Sequence, residues 1–424
     1  MNAILYIVIH LSLFVLFYDP TLVYTNAGLA RVISLVSVMF ALVILVNAKR
    51  YKLKVNILLL ISILSLLLVM SVLQLIAFLN GMDSYYSNYI FSALTVFIPV
   101  TLSLCIYVNY LNISYLRFFE IISNICFLQS VFLLIDWFFN ENDSSIFSNF
   151  IVVPTSTIGT YRVAGLSSIG GDGLSFVQYI GFSISFHLYF YRDLKYKSKK
   201  RYLFYSILIL FTLILVARTG VVLSLIFAVM YLLFTRGFFN LFRYISMIFI
   251  SLAILFGLFT LISSESRMDV IYLELMPHAF ELYYNIYESG SFQTGSTKLL
   301  LGDMIFFPDN FMTWTFGDGY WRSPYGEGNY IDSDNGYIRL LYYSGVFGSF
   351  LIYFWLICNY VFLFLKFKDT STRKFFICFL ITLFIAHMKY PFILSSVSIF
   401  LVFTFLAMKS KPNYHLIVKE RFYT

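Results

Sequence analysis

Uninterrupted apolar runs recur along almost the whole chain, and they leave few folds open to it. Segments such as 55–80, 88–109, 118–139 and 244–263 are each long enough to cross hydrocarbon as a helix, which takes about 20 residues. Inside a bilayer every backbone N–H and C=O must find its partner within the protein, so only helices and closed barrels span it. The runs here are continuous rather than alternating, which excludes a barrel. With 60% hydrophobic and 12% charged residues, the chain also lies outside the range of soluble domains. The expected fold class is an all-α polytopic membrane protein forming a single integral membrane domain over 1–424.

Twelve apolar segments can be placed, at 3–18, 28–47, 55–80, 88–109, 118–139, 173–191, 202–217, 220–235, 244–263, 337–365, 375–390 and 391–408. The first has no basic region before it and no small-residue cleavage site after it, so it reads as a span rather than a removable leader. The pairs on either side of Arg218 and of Pro391 are nearly continuous, and each pair is also compatible with one kinked helix.

Basic residues test the topology independently, because cytoplasmic connections collect Lys and Arg. Counting alternate connections, 21 of the 29 basic residues fall on one side, at 49–54, 117, 192–201, 236–243, 366–374 and 409–421. The other side keeps Arg31, Arg162, Arg218, Arg267, Lys298, Arg322, Arg339 and Lys389. About twelve transmembrane helices with both termini cytoplasmic obey the rule at every turn. The run RDLKYKSKKR at 192–201 is accounted for by this topology and by anionic membrane lipid, without nucleic acid. Cys105, Cys126, Cys358 and Cys378 lie in apolar segments without CxxC spacing and read as reduced packing residues.

Two polar stretches interrupt the pattern on the side poor in Lys and Arg: 140–172, and a longer island at 264–337 between helices 9 and 10. The island carries eleven acids against Arg267, Lys298 and Arg322, in a chain of net charge +8. A connection this long, rich in Trp, Tyr, Gly and carboxylate, is where function is expected. Three arginines on the same side stand out: Arg162 in YRVAGL, Arg218 in ARTG and Arg339 after DNGYI. Arginine at a membrane boundary is costly unless it snorkels to headgroups or meets an anion. Guanidinium binds phosphate oxygens in bidentate fashion without a metal, so the three would form a diphosphate site if they converge.

Trp314, Tyr320, Trp321, Tyr325, Tyr330 and Tyr337 could stack on a sugar ring, and equally could form an interfacial aromatic belt. Asp332 and Asp334 make a DxD pair. Read as a metal site it would call for a nucleotide sugar, which the outer side of a membrane lacks. Read as a general base, Asp334 would take the proton of an attacking hydroxyl. Asp332, Ser333, Asp334 and Asn335 are also candidate caps for the following helix. His278, beside Pro277, reads as structural. GSTK at 295–298 lacks the flanking residues of a phosphate loop, and no pattern calls for a metal or another cofactor.

Three pieces together, YRVAGLSS at 161–168, ARTG at 217–220, and WTFGDGYW followed by DNGYIRLLYYSGVFG, resemble the O-antigen polymerase (Wzy) family within the wider polymerase and ligase group. The family carries an Arg-x-x-Gly in an outer loop, a Ser-Arg-x-Gly at a helix pair, and FGxG followed by HN or DN and a Gly-x-x-Gly. Here Ala217 replaces the frequent Ser, and Asp334 stands where ligases usually carry His, which favours polymerase over ligase. The resemblance implies a multi-pass protein of the bacterial cytoplasmic (inner) membrane that performs metal-independent glycosyl transfer on its outer face. A glycan on undecaprenyl diphosphate would pass, with inversion, to a new undecaprenyl-diphosphate-linked oligosaccharide. Arg162 and Arg218 would stabilise the leaving diphosphate and Asp334 would act as base. Arg339, Asn335, Tyr337, Trp314, Tyr320 and Arg322 are the expected substrate contacts. Whether a chain-length regulator protein binds is left open. The alternatives are an O-antigen ligase and a lipid-linked oligosaccharide flippase, although the spans are poorer in charge than a transporter's.

Overall fold

A computed structural model describes residues 2–23, 29–47, 57–80, 85–139, 145–154, 162–191, 196–263, 265–279, 281–290, 294–324 and 330–408. Tyr161, Tyr325 and the basic residues at 49–54 and 409–421 lie outside them, as do the side chains of Arg267 and His278. The described chain is all-α. Helices α1 (Asn2–Tyr18), α2 (Leu29–Asn47), α3 (Ile57–Asn80), α4 (Tyr85–Ser92), α5 (Ile98–Tyr110) and α6 (Tyr115–Phe139) come first. Then follow α7 (Gly171–Phe190), α8 (Tyr196–Val216), α9 (Arg218–Arg236) and α10 (Phe238–Ile262). The island holds α11 (Glu265–Val270), α12 (Met276–Ala279), α13 (Glu281–Ser289), α14 (Gly295–Leu301) and α15 (Phe311–Phe316). The chain closes with α16 (Gly336–Lys366), α17 (Thr370–His387) and α18 (Ser396–Ala407).

Among the described residues, eight helical stretches are long and apolar enough to cross a membrane: α2, α3, the α4–α5 unit, α6, α9, α10, α16 and α17. The two doubtful pairs are separate helices. Ala217 is extended (φ −166°, ψ 143°) and ends α8 one residue before α9 begins. Beyond α17, a tight turn through Pro391 and a short 3-10 turn at Phe392–Leu394 precede α18. Within the island much of the described chain is short helix.

One irregularity has a covalent cause. Pro99 has no N–H for the carbonyl of Thr95, and the chain passes through a π turn at Ala93–Phe97 just before it. Ser34 Oγ of α2 donates to that carbonyl at 2.9 Å, so the orphaned acceptor is satisfied by a neighbouring helix.

The pillar of the bundle is α7, with 17 of its 20 residues buried. A helix that is apolar all round belongs inside other helices, and α7 packs against α6, α8, α9 and α17. Gly181 lets it approach α6, because a Cβ there would overlap Cys126. Small hydroxyl residues join the helices: Ser123 to Ser185 at 2.6 Å, Thr212 to Ser130 at 3.1 Å and Ser12 to Ser37 at 2.8 Å. Each such bond contributes about 0.6 kcal/mol where lipid replaces water.

The two ends of the bundle differ in chemistry. At one end Lys366 Nζ donates to the carbonyls of Phe405 (3.2 Å) and Leu406 (2.5 Å). Arg373 Nε there serves Phe364 (3.0 Å) and Phe367 (2.6 Å). These cations cap terminal carbonyls that have no partner within their helix. The other end carries the island and the N-termini of α7, α9 and α16.

Candidate functional site at the island end

The segment after Arg162 is bonded to the end of α8. Val163 N–H donates to Leu215 C=O at 3.3 Å, which lays residues 162–165 along the end of α8, three residues before Arg218. That segment is fixed from below by α6. Gln129 Nε2 donates to Ala164 C=O at 2.8 Å, and Gly165 N–H donates to Asp136 Oδ2 at 3.1 Å. Gly165 takes φ +57°, and a Cβ there would press on Gln129 and the backbone of Leu133, so the glycine of this motif belongs to the turn. Asp136 is fully buried, and its other oxygen accepts from Ser145 Oγ (2.7 Å) and Ile146 N–H (3.1 Å). A buried carboxylate persists because it is bonded this fully.

The ARTG turn docks on the start of α7. Thr219 Oγ1 donates to Asp172 Oδ1 at 2.6 Å, and Asp172 sits in the first turn of α7, where the helix dipole favours a carboxylate. A Cβ on Gly220 would lie 2.8 Å from the carbonyl of Ser175, so glycine allows this approach of α9 to α7. The Arg218 guanidinium is ion-paired with Glu281, the first residue of α13, and each side chain remains about a quarter exposed. The other Glu281 oxygen accepts the N–H of Gly295, the first residue of α14, at 2.7 Å.

A second group gathers at the start of α16. Asn335 is the helix cap: its Oδ1 accepts from Tyr337 N–H (3.0 Å) and Ile338 N–H (3.4 Å). Ser333 is turned away to the carbonyl of Met304 at 2.9 Å. Asp334, relieved of capping, is 46% exposed and lies 3.4 Å from Lys389 Nζ at the end of α17. Gly336 abuts His387, leaving no room for a side chain. Tyr337 donates to the carbonyl of Phe384 (2.9 Å) and meets the His387 ring edge-on at 4.8 Å. Arg339 is buried, with its guanidinium 4.5 Å from the centre of the Trp321 ring, a cation–π contact.

The FGDG turn is locked to α16 by glycines on both sides. Gly317 (φ 75°) and Gly345 (φ 65°) have left-handed φ, and a Cβ on either would overlap the other segment's backbone. Gly345 breaks α16 and admits α15, while Asp318 N–H and Gly319 N–H donate to Tyr342 C=O (2.6 Å) and Tyr343 C=O (3.1 Å). Asp318 accepts from Thr313 Oγ1 (2.6 Å) and Tyr330 OH (3.2 Å), and Tyr330 lies against Tyr320, their ring centres 5.3 Å apart. Trp314 stacks on Phe307 at 5.5 Å, and Arg322 is exposed.

The two groups are joined through α7. Phe176, one turn below Asp172, stacks at 4.4 Å on Phe392, three residues after Lys389. A run of bonds and chain neighbours therefore leads from Val163 through Leu215, Thr219, Asp172, Phe176 and Phe392 to the turn that carries Lys389 opposite Asp334. Arg339 belongs to the Trp321 side of this arrangement, whereas Arg218 opens α9 and the segment beginning at Arg162 is bonded to the end of α8. No local pattern marks Glu281, Asp318, Lys389 or His387 as partners of these residues. Asp172 had a legible signal, an acid in the first turn after a double glycine. Among the described residues no three His, Cys, Asp or Glu side chains gather as a metal site would require. No protein-family profile, characterised protein or solved structure matches this chain.

Proposed function

We propose that this chain polymerises a lipid-linked polysaccharide repeat unit, of O-antigen or capsule type, on the outer face of a bacterial cytoplasmic membrane. In this reading twelve helices span, both termini are cytoplasmic and the island faces outward. The observation that supports it is that the turn carrying Arg218 and the turn carrying Lys389 opposite Asp334 pack on successive turns of α7, with the segment after Arg162 bonded beside the former. Three segments distant in sequence, each resembling a family motif, meet at the one end of the bundle that also holds the carboxylate-rich island.

The reaction follows from the groups present. A hydroxyl of the lipid-linked acceptor attacks the anomeric carbon of the donor glycan, and its proton passes to the exposed Asp334 carboxylate. The bond from that carbon to the diphosphate oxygen breaks, and undecaprenyl diphosphate leaves with the electron pair. Arg218 and Arg162 meet the charge that develops on it, a preorganised interaction that contributes about 3 kcal/mol per donor. Lys389 lies 3.4 Å from Asp334 and aims it, and the Tyr320–Tyr330 pair receives a sugar face. Arg339, supported by Trp321, Asn335 and Tyr337 form the floor.

The test compares surface polysaccharide from a strain lacking the protein with that from the strain restored. Collapse of the ladder to a single repeat unit on its anchor is expected. Disappearance of even the single repeat would move the assignment to a ligase or a flippase.

A further inference from the structure

We infer that Glu281 is a latch: its carboxylate occupies the Arg218 guanidinium in the place of the substrate's phosphate, and it withdraws when a polyprenyl diphosphate enters. The inference rests on the function proposed above and concerns how that site is opened. Three features carry it. The pair joins the scaffold to the island, because Arg218 is the first residue of α9 and Glu281 the first of α13. The same carboxylate holds the N–H of Gly295 with its second oxygen, so one side chain ties the starts of α13 and α14 to the arginine. Both partners are about a quarter exposed, which leaves the pair open to an incoming anion rather than sealed in the core.

The chemistry favours exchange. A partly exposed ion pair contributes roughly 0–1 kcal/mol, whereas a diphosphate carries more charge and more acceptor oxygens than a carboxylate. At Arg218 it would also meet the N-terminus of α9, a 19-residue helix, and the neighbouring Arg162 segment. Freed from Arg218, Glu281 would release Gly295, and the α13–α14 segment would lift from the bundle. Entry of the diphosphate and opening of the island over the acceptor's path thus become one event.

The experiment uses the full-length protein in nanodiscs with farnesyl diphosphate as the probe. Removing the competing carboxylate with Glu281→Gln should tighten binding about two- to fivefold, the range a partly exposed pair supports. Glu281→Asp, which keeps the charge, should stay near wild type, and Glu288→Gln on the same helix should change nothing, which controls for bulk charge. In the wild-type protein the probe should speed amide exchange at 294–301, the reverse of ordinary ligand protection. Weaker binding by Glu281→Gln with slower exchange at 294–301 would overturn the latch and make Glu281 a support for Arg218. If the wild-type protein binds no farnesyl diphosphate at all, the latch falls together with the proposed function.

Discussion

Replacing Gly345 with Ala should damage this protein more than the same change at Gly237, a glycine of matching backbone outside the site, and the reason can be worked from the two positions. Gly345 has φ 65° and ψ −174°, while Gly237, between α9 and α10, has φ 79° and ψ 172°. Both lie in a region that is essentially glycine's alone, so Ala costs about 1–3 kcal/mol at each. Around Gly237 nothing lies within 4 Å of the added Cβ. At Gly345 the Cβ would overlap the carbonyl of Thr315, which is backbone and cannot rotate aside. Forcing α15 off α16 adds about 1–3 kcal/mol. Gly345→Ala should therefore cost about 2–6 kcal/mol in all. Gly257→Ala, inside α10 with open space around it, should be neutral or slightly stabilising. The assay is thermal unfolding in nanodiscs at one scan rate, paired with polymer formed per folded molecule. Gly345→Ala should fall furthest in both, because the shift of α15 carries Trp314 and Asp318 with it. Equal losses in Gly345→Ala and Gly237→Ala would refute the argument that the FGDG turn is held by this crossing.

Three further outcomes follow from the same contacts. Arg218→Lys should lower polymerisation about a hundredfold at equal expression, since a preorganised donor contributes about 3 kcal/mol and Lys lacks the bidentate fork; near-normal chain length would remove Arg218 from the chemistry. Asn335→Ala should cost about 1 kcal/mol of stability through the lost cap, whereas Asp334→Asn should change stability by less than about 1 kcal/mol yet abolish activity. Unfolding midpoints and polymer yield from the two variants separate capping from base chemistry. Asp136→Leu should cost about 2–6 kcal/mol, because the N–H groups of Ile146 and Gly165 lose their acceptor; an unchanged midpoint would mean that these donors find another partner.

The bundle was legible because lipid-spanning helices announce themselves as long apolar runs, and the separation of α8 from α9 needed the structure because a single extended residue, Ala217, makes the break. The island's short helices were hidden by their polarity: ELYYNIYES has no apolar run, and it is placed as α13 with its first residue paired to Arg218. The glycines of YRVAG and FGDG could be seen as motifs, but their reasons lie in contacts with Gln129 and Tyr343 that no local pattern encodes. Capping shows the same limit. Four adjacent residues were chemically able to cap α16, and Ser333 is diverted to Met304 while Asp334 faces Lys389, leaving Asn335. The segments of Arg162 and Arg218 are tied by one backbone bond between Val163 and Leu215, and the pairing of Asp334 with Lys389 spans 55 residues.

Under the proposed function this protein itself joins lipid-linked repeat units without a metal. The most direct measurement incubates the purified protein in nanodiscs with the host's undecaprenyl-diphosphate-linked repeat unit in the presence of a chelator, and reads the products by mass spectrometry. Products lengthened by whole repeats are expected, with one undecaprenyl diphosphate released per linkage and about a hundredfold less from Arg218→Lys. Unlengthened substrate from folded wild-type protein, or lengthening at the wild-type rate in both Asp334→Asn and Arg218→Lys, would overturn the proposed polymerase.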